Sequence, residues 1–197
     1  NPHPPGIGPG GIAGPMTPEI RDRMLAGLDE AQQTAEEALD LFVSMLGKFE
    51  REARAFGEFP SLHLGLANDA GTWENYDGHL RFVDAAGSVV ADNIDVADYR
   101  DYIGESPRYD SYLKSPYFKP LVGAGEDINQ GIYRVGPLAR LNVCQTMGTP
   151  LADEALLAYR ERAGGTANSS FFYHYARLIA VLASTELMRV FLEDDSI

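Results

Sequence analysis

From Thr17 onward, apolar residues recur at steps of three or four: Ile20, Met24, Leu28, Ala31, Ala35, Leu39, Phe42, Leu46, Phe49, Ala53 and Phe56. That spacing keeps them on one face of a helix. Asp29, Glu30, Glu36, Glu37, Asp40, Lys48, Glu50 and Arg51 fill the intervening positions. Thr17 can cap the first turn, Pro18 suits its first position, and Glu19 favours the positive end of the helix dipole. Gly57 and Pro60 supply the stop, so the pattern predicts a long helix over residues 17–57. A helix from Thr17 to Ala55 would be about 58 Å long at 1.5 Å per residue. That exceeds a small domain, so the helix either runs along a larger body or is divided. Gly27 and Gly47 are its weak points.

Beyond Ser61 the period changes to two. Leu62, Leu64 and Leu66 alternate with His63, Gly65 and Ala67, and turn signals follow at residues 68–71, 77–78 and 84–87. The short runs Thr72 to Tyr76, His79 to Val83 and Ser88 to Ala91 lie between them. Such runs predict an antiparallel meander over residues 61–93. Asp95 is placed to cap a short helix through Ile103. Residues 104–130 read as a tyrosine-rich loop interrupted by Pro107, Pro116 and Pro120. Thr149-Pro150 opens a helix that ends near Gly164-Gly165, and Asn168 or Ser169 caps a final helix. That helix is apolar around much of its circumference near Leu178 to Leu182, which predicts burial inside a larger body. The expected class is α+β: predominantly helical, with long helices and a small antiparallel sheet. Residues 95–197 contribute loops and helices.

The first sixteen residues break this regularity, because Pro and Gly supply ten of them. Neither a helix nor a central strand is compatible with that composition. Residues 1–16 therefore read as a loop, either a free tail or one shaped for close backbone packing.

Charge narrows the function. A formal net charge of −13 argues against nucleic acid and against anionic membrane surfaces, both of which need clustered Lys and Arg. No run of 18 apolar residues predicts a transmembrane helix. Cys144 is the sole cysteine, so no intramolecular disulfide can form, which fits a reducing cytoplasm.

Candidate chemistry is sparse. His3, His63, His79 and His174 show no ligand spacing with one another or with a cysteine, and HExxH, CxxC and GxSxG are absent. The glycine-rich stretch Gly6 to Gly11 follows no predicted strand and lacks the Lys-Ser/Thr of a phosphate loop. Cys144 ends an apolar run, Leu141-Asn142-Val143-Cys144, and reads as a buried, inert thiol. Arg134 and Arg140 flank Gly136-Pro137 and read as a salt bridge or a carbonyl cap.

Three stretches add a resemblance. Asn1-Pro2-His3-Pro4 followed by Gly10-Gly11-Ile12-Ala13 resembles a segment of nickel–iron hydrogenase large subunits. Tyr133-Arg134-Val135-Gly136-Pro137-Leu138-Ala139-Arg140-Leu141-Asn142-Val143-Cys144 is similar to the Val-Gly-Pro-Leu-Ala-Arg stretch of cytoplasmic members. Tyr76-Asp77-Gly78, Leu80-Arg81, Asp98-Tyr99, Ile103-Gly104-Glu105 and Ser111 to Lys114 follow in the order of the soluble NAD-linked heteromeric type.

The resemblance implies a catalytic subunit that oxidises dihydrogen or reduces protons. It implies a nickel–iron centre carrying CO and cyanide and held by two CxxC pairs. It further implies two partners, a diaphorase module and an iron–sulfur small subunit. Neither pair is present, so residues 1–197 correspond to one internal fragment without catalytic or metal-ligating residues, expected to be inactive alone. Thiolates are required because they are soft donors. His3 matches the family histidine that faces the small subunit near its proximal cluster. There it would tune the cluster through hydrogen bonding or simply pack at the subunit contact. A non-catalytic scaffold or assembly module derived from the large subunit is the competing reading.

Overall fold

A computed structural model describes residues 7–8, 11–12, 14, 16–123 and 127–194. His3 lies outside them. Helix α1 (Pro18–Leu46) begins as its sequence dictates: the Thr17 side chain accepts from the Ile20 N–H, with Pro18 in the first turn. Its buried residues Leu28, Ala35, Leu39 and Leu46 fall on one stripe, which packs against α6 (Phe172–Glu193). The long helix expected over 17–57 is divided. Lys48 and Phe49 donate to Met45 and Leu46, three residues back. That tightening ends α1 before α2 (Glu50–Ala55) restarts the helix.

Two short strands, β1 (Ile7–Gly8) and β2 (Gly11–Ile12), pair antiparallel near the amino terminus. The main sheet runs β5–β4–β3–β8, from β3 (Leu62–Ala67), β4 (His79–Val83), β5 (Val89–Ile94) and β8 (Tyr133–Arg134). The period-two pattern sorts its faces. His63, Gly65 and Ala67 face the helices, while Leu62 and Leu64 join Phe82, Ile94 and Phe118 in a second cluster. A side chain at Gly65 would press its Cβ to 3.3 Å from Val143, so glycine allows α4 (Pro137–Val143) to lie close on β3.

Four expectations are corrected. The sheet is mixed, because Tyr133-Arg134 joins β3 in parallel. Thr72 to Tyr76 is no strand; Thr72 and Trp73 make only isolated bridges. Residues 104–130 are not one loop, because β6 (Ile103–Arg108) and β7 (Ser111–Phe118) form an antiparallel hairpin. Its prolines disguised it: Pro107 sits at the register shift and Pro116 opposite Glu105, positions a two-stranded ribbon tolerates. Finally, neither Asn168 nor Ser169 is the residue flanking α6. Phe171 occupies that position without a side-chain cap, while the Ser169 hydroxyl accepts from the Phe171 N–H and also donates to the Ala53 carbonyl.

Helix α5 (Pro150–Ala163) starts where Thr149-Pro150 predicted, yet Thr149 does not cap it. The Glu186 carboxylate of α6 accepts from the Leu151 and Ala152 N–H groups, both at 3.0 Å. A negative charge at the positive end of a neighbouring helix locks the two together. Residues 96–98 form a 3-10 turn capped by Asp95, followed by α3 (Tyr99–Tyr102). Among the described residues, no helix is long and apolar enough to cross a membrane.

Candidate functional site

The segment carrying the strongest motif folds into a buried junction. After β8 the chain turns at Gly136, whose φ of +81° is strained for any residue with a Cβ. Pro137 then opens α4, which buries Leu138, Ala139, Leu141 and Val143. Arg134 is spent on this turn. Its Nη2 donates to the Gly57 carbonyl at 2.9 Å and its Nη1 to the Asn168 carbonyl. Its guanidinium lies 4.0 Å from the Phe59 ring centroid. The carbonyl-cap reading therefore holds for Arg134. Arg140 does something else, sitting 5.6 Å over the Trp73 ring in a cation–π contact.

His63 is fully buried at the centre of the junction. Asn168 donates through Nδ2 to the Ala85 carbonyl, so its Oδ1 faces His63 Nε2 at 3.1 Å as an acceptor. That network places the proton on Nε2. Asn142 Nδ2 lies 3.3 Å from both ring nitrogens and also donates to the Ala167 carbonyl, while its Oδ1 accepts from the Ala167 N–H. One imidazole thus ties β3, α4 and the loop before α6. The sequence does not reveal these roles, since Asn142 and Asn168 acquire them only from distant partners.

Burial holds the His63 imidazole below its ordinary value of 6.5. The Asn168 bond opposes this, Arg134 adds to it, and Asp84 opposes it. The unfolded chain therefore takes up a proton first on acidification. The stability tied to neutral His63 is complete above about pH 6.5 and is lost below it, by at most about 1.4 kcal/mol per pH unit. Thermal midpoints should fall between pH 7 and pH 5, with a flatter profile in His63→Gln. Parallel profiles for the two proteins would refute the assignment.

Cys144 closes α4 with a buried thiol that donates to the Leu66 carbonyl at 3.4 Å. Burial pushes it up to about 12, against the opposing pull of Arg81, Arg160 and Arg140. A neutral thiol of this kind is neither nucleophile nor ready metal ligand. Among the described residues, no three His, Cys, Asp or Glu side chains converge as a metal site. The residues present do not fit a thiolate-bound nickel–iron group.

Comparison with known proteins gives this junction its context. No protein-family profile matches the chain. One subunit of the F420-non-reducing vhu hydrogenase of Methanococcus voltae is 41% identical over 189 residues, covering 96% of this chain and 43% of that protein. The beta subunit of the NAD-reducing hydrogenase HoxS of Cupriavidus necator is 34% identical, covering 94% of this chain and 38% of that protein. A crystal structure of an NAD+-reducing nickel–iron hydrogenase in the H2-reduced state superposes with a TM-score of 0.86 at 33% identity, over 94% of this chain and 40% of that one. The chain's homologues are therefore hydrogenase subunits, and its α+β fold is that of a hydrogenase chain. It spans less than half the length of these relatives.

Proposed function

We propose that these residues are framework of the large, catalytic subunit of a soluble, cytoplasmic nickel–iron hydrogenase that oxidises dihydrogen or reduces protons. The reading is carried by one observation: homology to hydrogenase subunits runs along at least 94% of the chain, with the solved NAD+-reducing enzyme matching at a TM-score of 0.86. The complete subunit would hold a nickel–iron centre with CO and cyanide through cysteines outside these positions. An iron–sulfur small subunit would carry the electrons, and a diaphorase module would pass them to NAD. This chain's own contribution is rigidity. The His63–Asn142–Asn168 network and the Arg134 caps hold β3, β8 and α4 in fixed relation, as a precisely placed site requires of its scaffold. His3 is proposed to lie toward the small subunit's proximal cluster.

The test is metal analysis and hydrogen-dependent reduction in the intact protein purified with its partner subunits. Bound nickel, together with hydrogen-dependent reduction of a viologen and of NAD+, is expected. A nickel-free preparation inert toward hydrogen would eliminate the enzyme reading in favour of the scaffold. In an active preparation, an unchanged proximal-cluster potential in His3→Ala would remove the His3 role.

A further inference from the structure

A cavity lies beside the junction, where the end of α4 meets the β4–β5 edge and the Gly165–Thr166 loop. Its volume is about 380 Å³, within the range of about 300–1,000 Å³ typical of small-molecule sites. Arg81, Asn142, Gln145, Arg160 and Thr166 line it, and its wall contains no Asp or Glu. In a chain with 29 acidic and 16 basic side chains, that local sign opposes the whole. A concave, low-dielectric wall of one sign concentrates the field for counter-ions.

Both guanidinium groups retain capacity for an anion. Arg81 is nearly buried, and its Nε donates to Asp92 at 2.7 Å, which leaves both terminal nitrogens as donors. Arg160 spends its terminal nitrogens on carbonyls: Nη1 on Gln145 at 3.0 Å, Nη2 on Leu141 at 3.1 Å and on Cys144. Carbonyl dipoles satisfy those donors without bringing a carboxylate into direct contact with the guanidinium. Asp92 pairs with Arg81 and Asp153 acts through space on Arg160, but neither carboxylate lines the cavity. Asp153 accepts from the Thr146 hydroxyl and the Met147 N–H, and Glu74 accepts from Asn68. Arg140 adds a third positive charge behind the wall.

We propose that this cavity binds a small molecule through a carboxylate or phosphate group held between Arg81 and Arg160. The planar guanidinium of Arg81 suits both oxyanions, since each presents paired oxygens at the spacing of its donors. Thr166 and Gln145 supply hydroxyl and amide contacts for the remainder of the ligand. Cys144 is a neutral wall and takes no part in chemistry.

Inorganic phosphate and citrate, titrated separately into the intact protein at constant ionic strength, separate the two sources. Saturable binding of at least one is expected by calorimetry, with a matching rise in thermal midpoint. Val89 lies on the cavity wall and is exposed, so Val89→Glu inserts a carboxylate without disturbing the core. That variant should keep the ligand-free midpoint and weaken binding at least about tenfold, roughly 1.4 kcal/mol. Arg81→Lys, which keeps the charge but loses the fork, should also bind more weakly. The absence of saturable binding of either anion up to about 20 mM, or binding unchanged in Val89→Glu, overturns the proposal.

Discussion

Replacing Arg160 by methionine is expected to lower the stability of the chain by about 3 kcal/mol, since each buried carbonyl that loses its donor costs about 1–3 kcal/mol. Three carbonyls are affected, the part-buried ones of Leu141 and Cys144 and the more exposed one of Gln145. They close the end of α4, where helical carbonyls have no partner of their own. The adjoining cavity admits water to that end, which favours the lower value per carbonyl. Methionine keeps most of the apolar stem, so the measured loss reports the guanidinium rather than packing. At about 2–4 °C per kcal/mol for a chain of this size, the thermal midpoint should fall by roughly 6–12 °C. A fall of under 2 °C would mean that water replaces the guanidinium without cost, and that α4 is held by its apolar face alone.

The sequence conveyed local order well and partnership poorly. Thr17-Pro18, the Leu62 to Ala67 alternation and the Pro150 start are all decided within a few residues, and each element forms where its pattern placed it. The β6–β7 hairpin escaped notice because Pro107 and Pro116 signal breaks, although a ribbon with free edges accommodates them. Tyr133-Arg134 is too short to announce a strand, and its parallel pairing with β3 is a tertiary fact. Caps behaved similarly. Glu186 closes α5 from another helix, and Asn168, expected to start α6, instead holds His63 and Ala85. Residues able to make several hydrogen bonds are assigned by whichever partner the fold delivers, and sequence distance hides that partner. The Gly136-Pro137 motif was legible because a positive φ followed by a fixed one constrains the backbone locally.

That distinction also bears on what the junction itself can do. The junction is satisfied internally: Arg134 on carbonyls, His63 between two amides, Cys144 protonated and sealed. Groups committed in this way position a structure rather than react.

Helix α6 separates the two kinds of apolar residue, and its substitutions should separate likewise. Ile179 has no solvent exposure and lies in the core shared by α1, α4, α5 and α6. Ile179→Ala should cost about 2–5 kcal/mol, the lost transfer energy plus the cavity left behind. Val181 and Phe191 are 43% and 58% exposed on the same helix. Changing both to serine should leave the thermal midpoint within about 2–4 °C, since each exposed substitution stays within about 0.5 kcal/mol. Those two residues should act on association instead. Met188 shares their exposure, and α1, which packs on α6, adds exposed Leu41 and Met45; apolar surface of this kind favours association. Light scattering of the isolated 197-residue chain should accordingly show self-association rising with concentration, reduced by the double serine variant. A clean monomer at high concentration would mean that these faces are tolerated by water, and that the apolar circumference of α6 does not require a neighbour.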